Sequence, residues 1–447
     1  MRKIPHVRWY ILALIFIATI INYLDRMTIN LSAPVLKTLY HLDDATLALV
    51  FSAFLWAYTI GPSIAGWLMD RLGSRKGYVL SMAVWSAAGV MTAWAVSIGH
   101  GLSGIIPIAV APIVLGFIAC RFLLGLGESA NWPAAIKTIS EWFPARERSF
   151  AIGWFNSGSS VGAVIAPMLV VWLLGYSWRM PFIVVGLIGF VWVIGWLALY
   201  RPIDEHPLVT DEEREYIRSS QAEEHSAASA EKVRWTDLLN IKAVRGVVFT
   251  RFFMDPIWWF YTFWLPMYFV QDRGVDLKKM AVFATLSFLA SDFGNLFGGW
   301  ASSNLVKRGW SINRARKTVM VPCAALMMVG LAVPFVPIKV AVGLIAVVMF
   351  CYQSWSVNML TIPADVLPKN IVGSAAGLSH MGAGFGGIAV TYVTGYLAKT
   401  FGSFTGPIVL MGIMPIIGIT FLFLVIGRIA SFDKPSQGAK EAALREF

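Results

Sequence analysis

The chain has 447 residues, a formal net charge of +11, and is 57% hydrophobic but only 14% charged. Soluble domains carry about a quarter charged residues, so this composition excludes an ordinary water-soluble protein and points to a chain that crosses a membrane many times. Apolar runs long enough to span a hydrocarbon core of about 30 Å recur along the whole sequence. In chain order they fall at 9–36, 46–69, 78–98, 104–135, 149–174, 179–200, 243–271, 277–303, 316–335, 338–366, 371–398 and 404–428, which predicts an all-α fold of twelve transmembrane helices. The first run is too long for the apolar region of a signal peptide and holds an acid–base pair, Asp25–Arg26, so it reads as a retained span.

The placement of the basic residues explains the net charge. With the N-terminus in the cytoplasm, 26 of the Lys and Arg residues fall on that side and 7 on the other. This bias predicts that both termini are cytoplasmic, and it leaves no reason to expect a nucleic-acid partner. Cys120, Cys323 and Cys351 lie inside apolar runs without pairing or metal spacing, so they read as small core residues. No metal and no cofactor are expected.

The most hydrophilic stretch separates six spans from six. It divides the chain into an N-terminal bundle (1–200), a linker (201–242), a C-terminal bundle (243–428) and a tail (429–447). Within the linker, Thr210 followed by Glu213 forms a capping box, which predicts a short surface helix near 211–221. The Ala/Ser/Glu stretch beyond it reads as a flexible connection. The loops Gly66 to Gly77 and Gly298 to Lys317 share one chemistry: small residues, a turn glycine, then a basic cluster. A repeat of six plus six is the architecture of a rocking transporter with a site between its halves.

Four charges lie at bilayer depth: Asp25 and Arg26 in the first span, Arg121 and Glu128 in the fourth. A charge there costs a few kcal/mol, so it faces the protein interior and finds a partner. Arg121 and Glu128, seven residues apart, share a helix face about 10 Å apart along the axis. Asp25 and Arg26 point about 100° apart and serve different partners. Two readings of the four stand open. In one, they neutralise each other and hold the N-terminal bundle together. In the other, the arginines present planar forks to a substrate carboxylate, and the carboxylates exchange protons as the arginines change partner.

The loop Gly66-x-x-x-Asp70-Arg71-x-Gly73-x-Arg75-Lys76 resembles the signature loop of the major facilitator superfamily at every position. Several stretches resemble the hexuronate and sugar-acid branch of its anion:cation symporter family: "NYLDRMTIN", "RFLLGLGESANWPAAIKTISEWFPARERS", "GWFNSGSSVGAVIAPML", "DPIWWFYTFWLPMYF" and "NMLTIPADVLPKNIVGSAAGLSHMGAGFGG". The resemblance covers essentially the whole chain. It implies a monomeric, proton-coupled importer in the inner membrane whose partners are a sugar-acid anion, protons and the lipid bilayer. It implies Asp25 and Glu128 as proton carriers and Arg26 and Arg121 as anion-binding residues. Tyr23, Tyr58, Asn156 and Ser159 would face the substrate from the first bundle, and Trp259, Tyr261, Gln353, Trp355, Asn358 and His380 from the second. His380 departs from the residue that sugar-acid relatives often carry and leaves specificity open. Asp255 reads as a structural cap, ion-pair partner or gate, and Arg251 as a residue able to snorkel to the membrane surface. The competing functions are carriage of another organic anion such as galactonate or glucarate, a transporter-like sensor, and a membrane enzyme. Against the last, the sequence holds no HExxH and no phosphate-binding loop.

Overall fold

A computed structural model of the chain describes residues 3, 5–105, 110–225, 235–366 and 369–426. Among these residues every regular element is helical. In a bilayer core no water satisfies backbone polar groups, and a helix satisfies its own. The chain forms two compact units, one of Met1–Ser229 with Phe269–Thr285, the other of Ala230–Tyr268 with Leu286–Phe447.

In the first unit, α1 (Val7–Tyr40) runs unbroken through Pro34 and stops at His41, which adopts a left-handed conformation. Asp43 starts α2 (Asp44–Thr92) by accepting a 2.7 Å bond from the Thr46 amide. This helix is two spans joined at Gly73, whose φ of 70° and ψ of 167° suit a residue without Cβ. The chain then bends by 93° into α3 (Ala95–Ser103). The fourth span follows as α4 (Pro112–Glu128) and α5 (Asn131–Trp142), and then come α6 (Ala145–Leu174) and α7 (Met180–Leu199).

Hydropathy merged α3 into its neighbours. The predicted third span, 78–98, ends at Thr92 instead, and the predicted fourth, 104–135, is shifted to Pro112–Trp142. Close packing explains the separate α3: a Cβ on Gly99 would stand 1.7 Å from the Pro112 carbonyl oxygen, and one on Gly116 1.8 Å from that of Ala95. Glycine on both helices lets α3 lie against α4 at backbone contact distance.

The linker helix α8 (Asp211–His225) docks onto this unit. Thr210 caps it by accepting from the Glu213 amide at 3.2 Å. The return half of the predicted capping box is replaced. The Glu213 carboxylate instead accepts from the backbone amides of Val7 (2.9 Å) and Arg8 (3.3 Å), capping the start of α1, and from Arg8 Nη1 at 2.9 Å. Arg8 also reaches Glu147 on α6 at 3.1 Å, and the Tyr216 hydroxyl donates to that carboxylate at 2.7 Å. The predicted flexible stretch after α8 lies largely outside the described residues.

The second unit holds α9 (Trp235–Asn240), α10 (Lys242–Met267), most of α11 (Leu277–Lys307), α12 (Ile312–Met327), α13 (Ile338–Val366), α14 (Lys369–Phe401) and α15 (Thr405–Phe421). The described helices include nine that are long and apolar enough to cross a membrane, or ten with the bent pair formed by the second half of α2 and α3. α10 and α14 fall short of that test. α10 carries Arg251, Asp255 and a run of amphipathic Trp and Tyr, and α14 is rich in Gly.

Candidate functional site

Four elements of the first unit bring the embedded charges together. α1 supplies Asn22, Tyr23, Asp25 and Arg26, the first half of α2 Phe54 and Tyr58, α4 Arg121 and Glu128, and α6 Ser159. The charged side chains are buried, with residue exposures of 5% for Asp25, 3% for Arg26, 2% for Arg121 and 1% for Glu128. Arg26 donates through Nε to Glu128 Oε2 at 3.0 Å and through Nη2 to Asn22 Oδ1 at 3.1 Å. Its guanidinium lies 4.7 Å from the Tyr23 ring centre and 4.4 Å from that of Tyr58. Such cation–aromatic contacts help to offset lost hydration. Phe54 joins the two arginines, 5.3 Å from Arg26 and 4.6 Å from Arg121.

Arg121 is held differently. Its Nε and Nη2 have no hydrogen-bond acceptor, and these two nitrogens form the side-on edge of the guanidinium, the geometry that grips both oxygens of one carboxylate. The neighbouring carboxylates are equally incomplete: Asp25 Oδ2 and Glu128 Oε1 have no donor. Each unsatisfied buried polar group costs about 1–3 kcal/mol, and more when charged. The charges acting on Asp25 are those of Glu128 and Arg121. Its other oxygen faces the second half of α2, where a Cβ on Gly89 would stand 2.9 Å away. Glu128 is thus a neighbour of both Asp25 and Arg26, and it is Arg26 that holds it by a hydrogen bond.

Comparison with known proteins agrees with this architecture. The family model described as "Major Facilitator Superfamily" matches residues 15–357. The chain belongs to the major facilitator superfamily. It is 34% identical over 433 residues to the hexuronate transporter of Escherichia coli (strain K12), covering 95% of each chain. It is also 34% identical over 332 residues to the galacturonate transporter of Dickeya chrysanthemi, covering 74% of this chain and 91% of that one. Among solved structures, a bacterial homologue of the human lysosomal transporter Spinster shares the fold, with a TM-score of 0.72 at 15% identity over 97% of this chain and 100% of that chain. Family membership makes this a multi-pass membrane transporter and not an enzyme.

The loop from Gly66 to Lys76, whose sequence resembles the superfamily's signature loop, sits at the break in α2. Arg71 stacks on Trp67 at 4.2 Å, Arg75 donates to the Leu197 carbonyl at 2.9 Å, and Trp196 donates to the Arg75 carbonyl at 3.2 Å. These last bonds tie the loop to the end of α7. Gly66 and Gly73 have open space where a Cβ would stand, and Lys76 is exposed. The Asp70 side chain lies outside the described residues.

The remaining predicted residues divide by surroundings. Asn156 and Ser159 are half-buried on α6, where the Ser159 hydroxyl donates to the Asn156 carbonyl at 2.6 Å and neighbours Tyr23. In the second unit, Trp259 stacks on Phe263 at 5.5 Å and packs against Gly387. Tyr261 and Trp355 are fully buried, the latter with an indole nitrogen that finds no acceptor, while Gln353 and His380 are half-buried. Asn358 is engaged between helices. Its amide nitrogen donates to the carbonyls of Gly298 (3.0 Å) and Ser354 (2.8 Å), and its oxygen accepts from Arg316 at 3.1 Å.

Sequence reasoning gave too little weight to Arg251 and Asp255. Arg251 does not snorkel: it is 6% exposed and Asp255 4%. Its Nε and Nη2 contact Asp255 Oδ2 at 2.9 and 2.7 Å, and Nη1 donates to Ser379 on α14 at 2.9 Å. An acid and a base four residues apart inside an apolar run was the available signal. Asn22 and Phe54, which complete the surroundings of Arg26, carried the same helical spacing to Arg26 and Tyr58.

Proposed function

We propose that the chain is a proton-coupled symporter that imports a sugar acid, a hexuronate such as galacturonate or glucuronate, by alternating access, as a monomer with both termini in the cytoplasm. The observation that carries this reading is the empty side-on edge of Arg121, buried next to two carboxylates that each lack a donor. A substrate carboxylate placed on that edge makes two charge-assisted hydrogen bonds where none existed. Tyr23, Tyr58, Asn156 and Ser159 offer hydroxyl and amide groups for the sugar.

A substrate anion on Arg121 adds negative charge beside Asp25 and Glu128. Each then gains from taking a proton, and each has a bare oxygen to receive it. Protonated Glu128 loosens its hold on Arg26, which can then turn to the substrate. Substrate and proton binding reinforce one another by linkage. The 34% identity to the hexuronate and galacturonate transporters supports the choice of cargo.

The test is uptake of labelled galacturonate into proteoliposomes with and without an inward proton gradient, in competition with glucuronate, galactonate and glucarate. The expected result is gradient-driven accumulation blocked best by hexuronates. Equal uptake with and without the gradient removes proton coupling, and stronger competition by glucarate than by glucuronate reassigns the cargo. Asp25→Asn and Glu128→Gln should abolish accumulation while sparing part of counterflow exchange. Equal loss of both activities would assign the four charges a structural role.

A further inference from the structure

The buried residues Asn131, Asn358 and Asn22 are finished differently. Asn131, at the start of α5, uses both ends of its amide: Oδ1 accepts from the Tyr78 hydroxyl at 2.6 Å, and Nδ2 donates to Thr19 Oγ1 at 3.3 Å. Asn358 in the second unit does the same, donating to two carbonyls and accepting from Arg316. Asn22 on α1 is 1% exposed and accepts from Arg26 Nη2 through Oδ1, but its Nδ2 has no acceptor. The amide cannot be turned around to use that donor, because Arg26 has only N–H groups to offer and needs the oxygen. A buried donor without a partner is a cost that an asparagine serving only to join helices avoids.

The contacts on either side fix where this donor lies. Asn22 is one helical turn before Arg26 and nearly one turn after Thr19, so the three share a face of α1. Arg26 meets Glu128 at the end of α4, and Thr19 meets Asn131 at the start of α5. Asn22 therefore lies opposite the break between the two halves of the fourth span. The oxygen and nitrogen of one amide share a carbon, which puts the unused donor in the immediate surroundings of the Arg26 guanidinium.

We infer that Asn22 binds the hydroxyl nearest to the carboxylate of the sugar acid and so sets which epimer is accepted. The inference rests on the sugar-acid reading above and deepens it. There the carboxylate sits on Arg121 and Arg26 turns toward it, and both guanidiniums lie against the ring of Phe54. A hydroxyl two carbons from that carboxylate comes within reach of the Asn22 donor. In a hexuronate ring this is the hydroxyl on C4, the carbon at which galacturonate and glucuronate differ. Asn22 has only a donor left, so it takes a lone pair of that hydroxyl and leaves the hydroxyl hydrogen for another acceptor. The ring oxygen is the other acceptor at this range. It is the same in both epimers and would give no discrimination between them.

The decisive variant is Asn22→Thr in the full-length protein. A threonine keeps an oxygen for Arg26, while its hydrogen returns to the carbonyl four residues earlier, as those of Thr19 and Thr28 do on the same helix. Binding in detergent is read by competition against labelled galacturonate, with galacturonate, glucuronate and the 4-deoxy compound that both become when the C4 hydroxyl is removed. Wild type should bind its preferred epimer about tenfold more tightly than the 4-deoxy compound, the worth of one hydrogen bond. In the variant that ratio should fall to near one, because affinity is lost for the hydroxyl-bearing ligand and kept for the deoxy one. A ratio as large in the variant as in wild type would overturn the inference and hand the hydroxyl to another residue. Loss of the same factor for all three ligands, together with a lower thermal midpoint, would also overturn it and assign Asn22 to holding the helices.

Wild-type protein provides a second measurement that does not depend on the variant folding. A 4-deoxy compound bound as tightly as the better epimer would overturn the inference while leaving hexuronate as the cargo. A wild type that binds none of the three would remove the cargo itself, and this inference with it.

Discussion

Two sets of arginine–carboxylate contacts in this molecule use the same residue types and are finished differently. Where α8 meets the start of α1, every carboxylate oxygen is occupied. Glu213 accepts on both oxygens from Val7 and Arg8, and Glu147 accepts from Tyr216 on one and Arg8 on the other. Inside the spans, Asp25, Glu128 and Asp255 each keep one oxygen without a donor. A contact that only has to hold gains by saturating its acceptors, because each unmade bond in a buried place costs about 1–3 kcal/mol. A contact that must take up and release a proton needs an acceptor position left open. Under the proposed function the saturated clamp is architecture, and the half-served Asp25 and Glu128 belong to the transport machinery.

The sharpest test of that distinction is Arg121→Gln. Two charge-assisted bonds to a substrate carboxylate are lost, about 2–3 kcal/mol or a roughly 30- to 150-fold weaker affinity, and uptake should fall to background. No hydrogen bond is lost at Nε or Nη2, but the buried counter-charge to Asp25 and Glu128 is, so the thermal midpoint of substrate-free protein should fall as well. A large drop in that midpoint with affinity preserved would place Arg121 in the architecture instead. Glu213→Ala is the converse experiment. It strips α1 of its cap and Arg8 of its buried partner, and should cost about 2–4 kcal/mol in unfolding free energy with the accumulation ratio unchanged. If accumulation falls while stability holds, saturation of a carboxylate does not mark a structural role.

The parts of this design that were legible in the sequence are those written in short-range pattern. Hydropathy located the spans apart from the region of α3, and the embedded Asp25, Arg26, Arg121 and Glu128 announced themselves by their cost in an apolar run. The Gly73 break lies within the recognisable loop motif. The partners were not legible, because they depend on which helices meet. No spacing says that Arg26 reaches Glu128, 102 positions away, or that Glu213 turns from its own helix to cap α1. The bend into α3 was hidden for a related reason: the apolar character continues across it, and only the approach of Gly99 to Gly116 separates α3 from its neighbours. Arg251 and Asp255 were visible as letters but ambiguous in depth, and burial decided between the membrane surface and the interior.

Gly89→Ala probes the boundary between the two kinds of contact with a smaller change. The new methyl would stand 2.9 Å from Asp25 Oδ1 and 3.7 Å from the Gly186 Cα, so the carboxylate or its helix must shift by a few tenths of an ångström. Overpacking of this kind costs about 1–3 kcal/mol. The expected outcome is a reduced accumulation ratio with counterflow exchange largely retained, measured in the same vesicles. An unchanged ratio would mean that the position of Asp25 is not critical to coupling.

The smallest effect lies on the clamp side and is set by pH. His206, in the loop before α8, stands edge-on to Trp142 at 5.3 Å, with Nε2 3.0 Å from the Leu199 carbonyl and Nδ1 accepting from the Leu208 amide at 3.3 Å. Those partners assign the neutral tautomer with its hydrogen on Nε2. Burial, aided by the charges of Arg201 and Arg214, pushes the imidazole below its usual 6.5, against the opposing pull of the Leu199 bond and Glu213. Because the unfolded chain then binds the proton more readily, this contribution is complete above pH 6.5 and is lost as pH falls through that value toward the lower native one. The thermal midpoint in detergent should therefore decline on mild acidification. His206→Gln, which can still donate to Leu199 and accept from Leu208, should flatten that decline without altering transport at neutral pH. A decline of the same slope in the variant would assign the acid sensitivity to another group, with the embedded half-served carboxylates next in line.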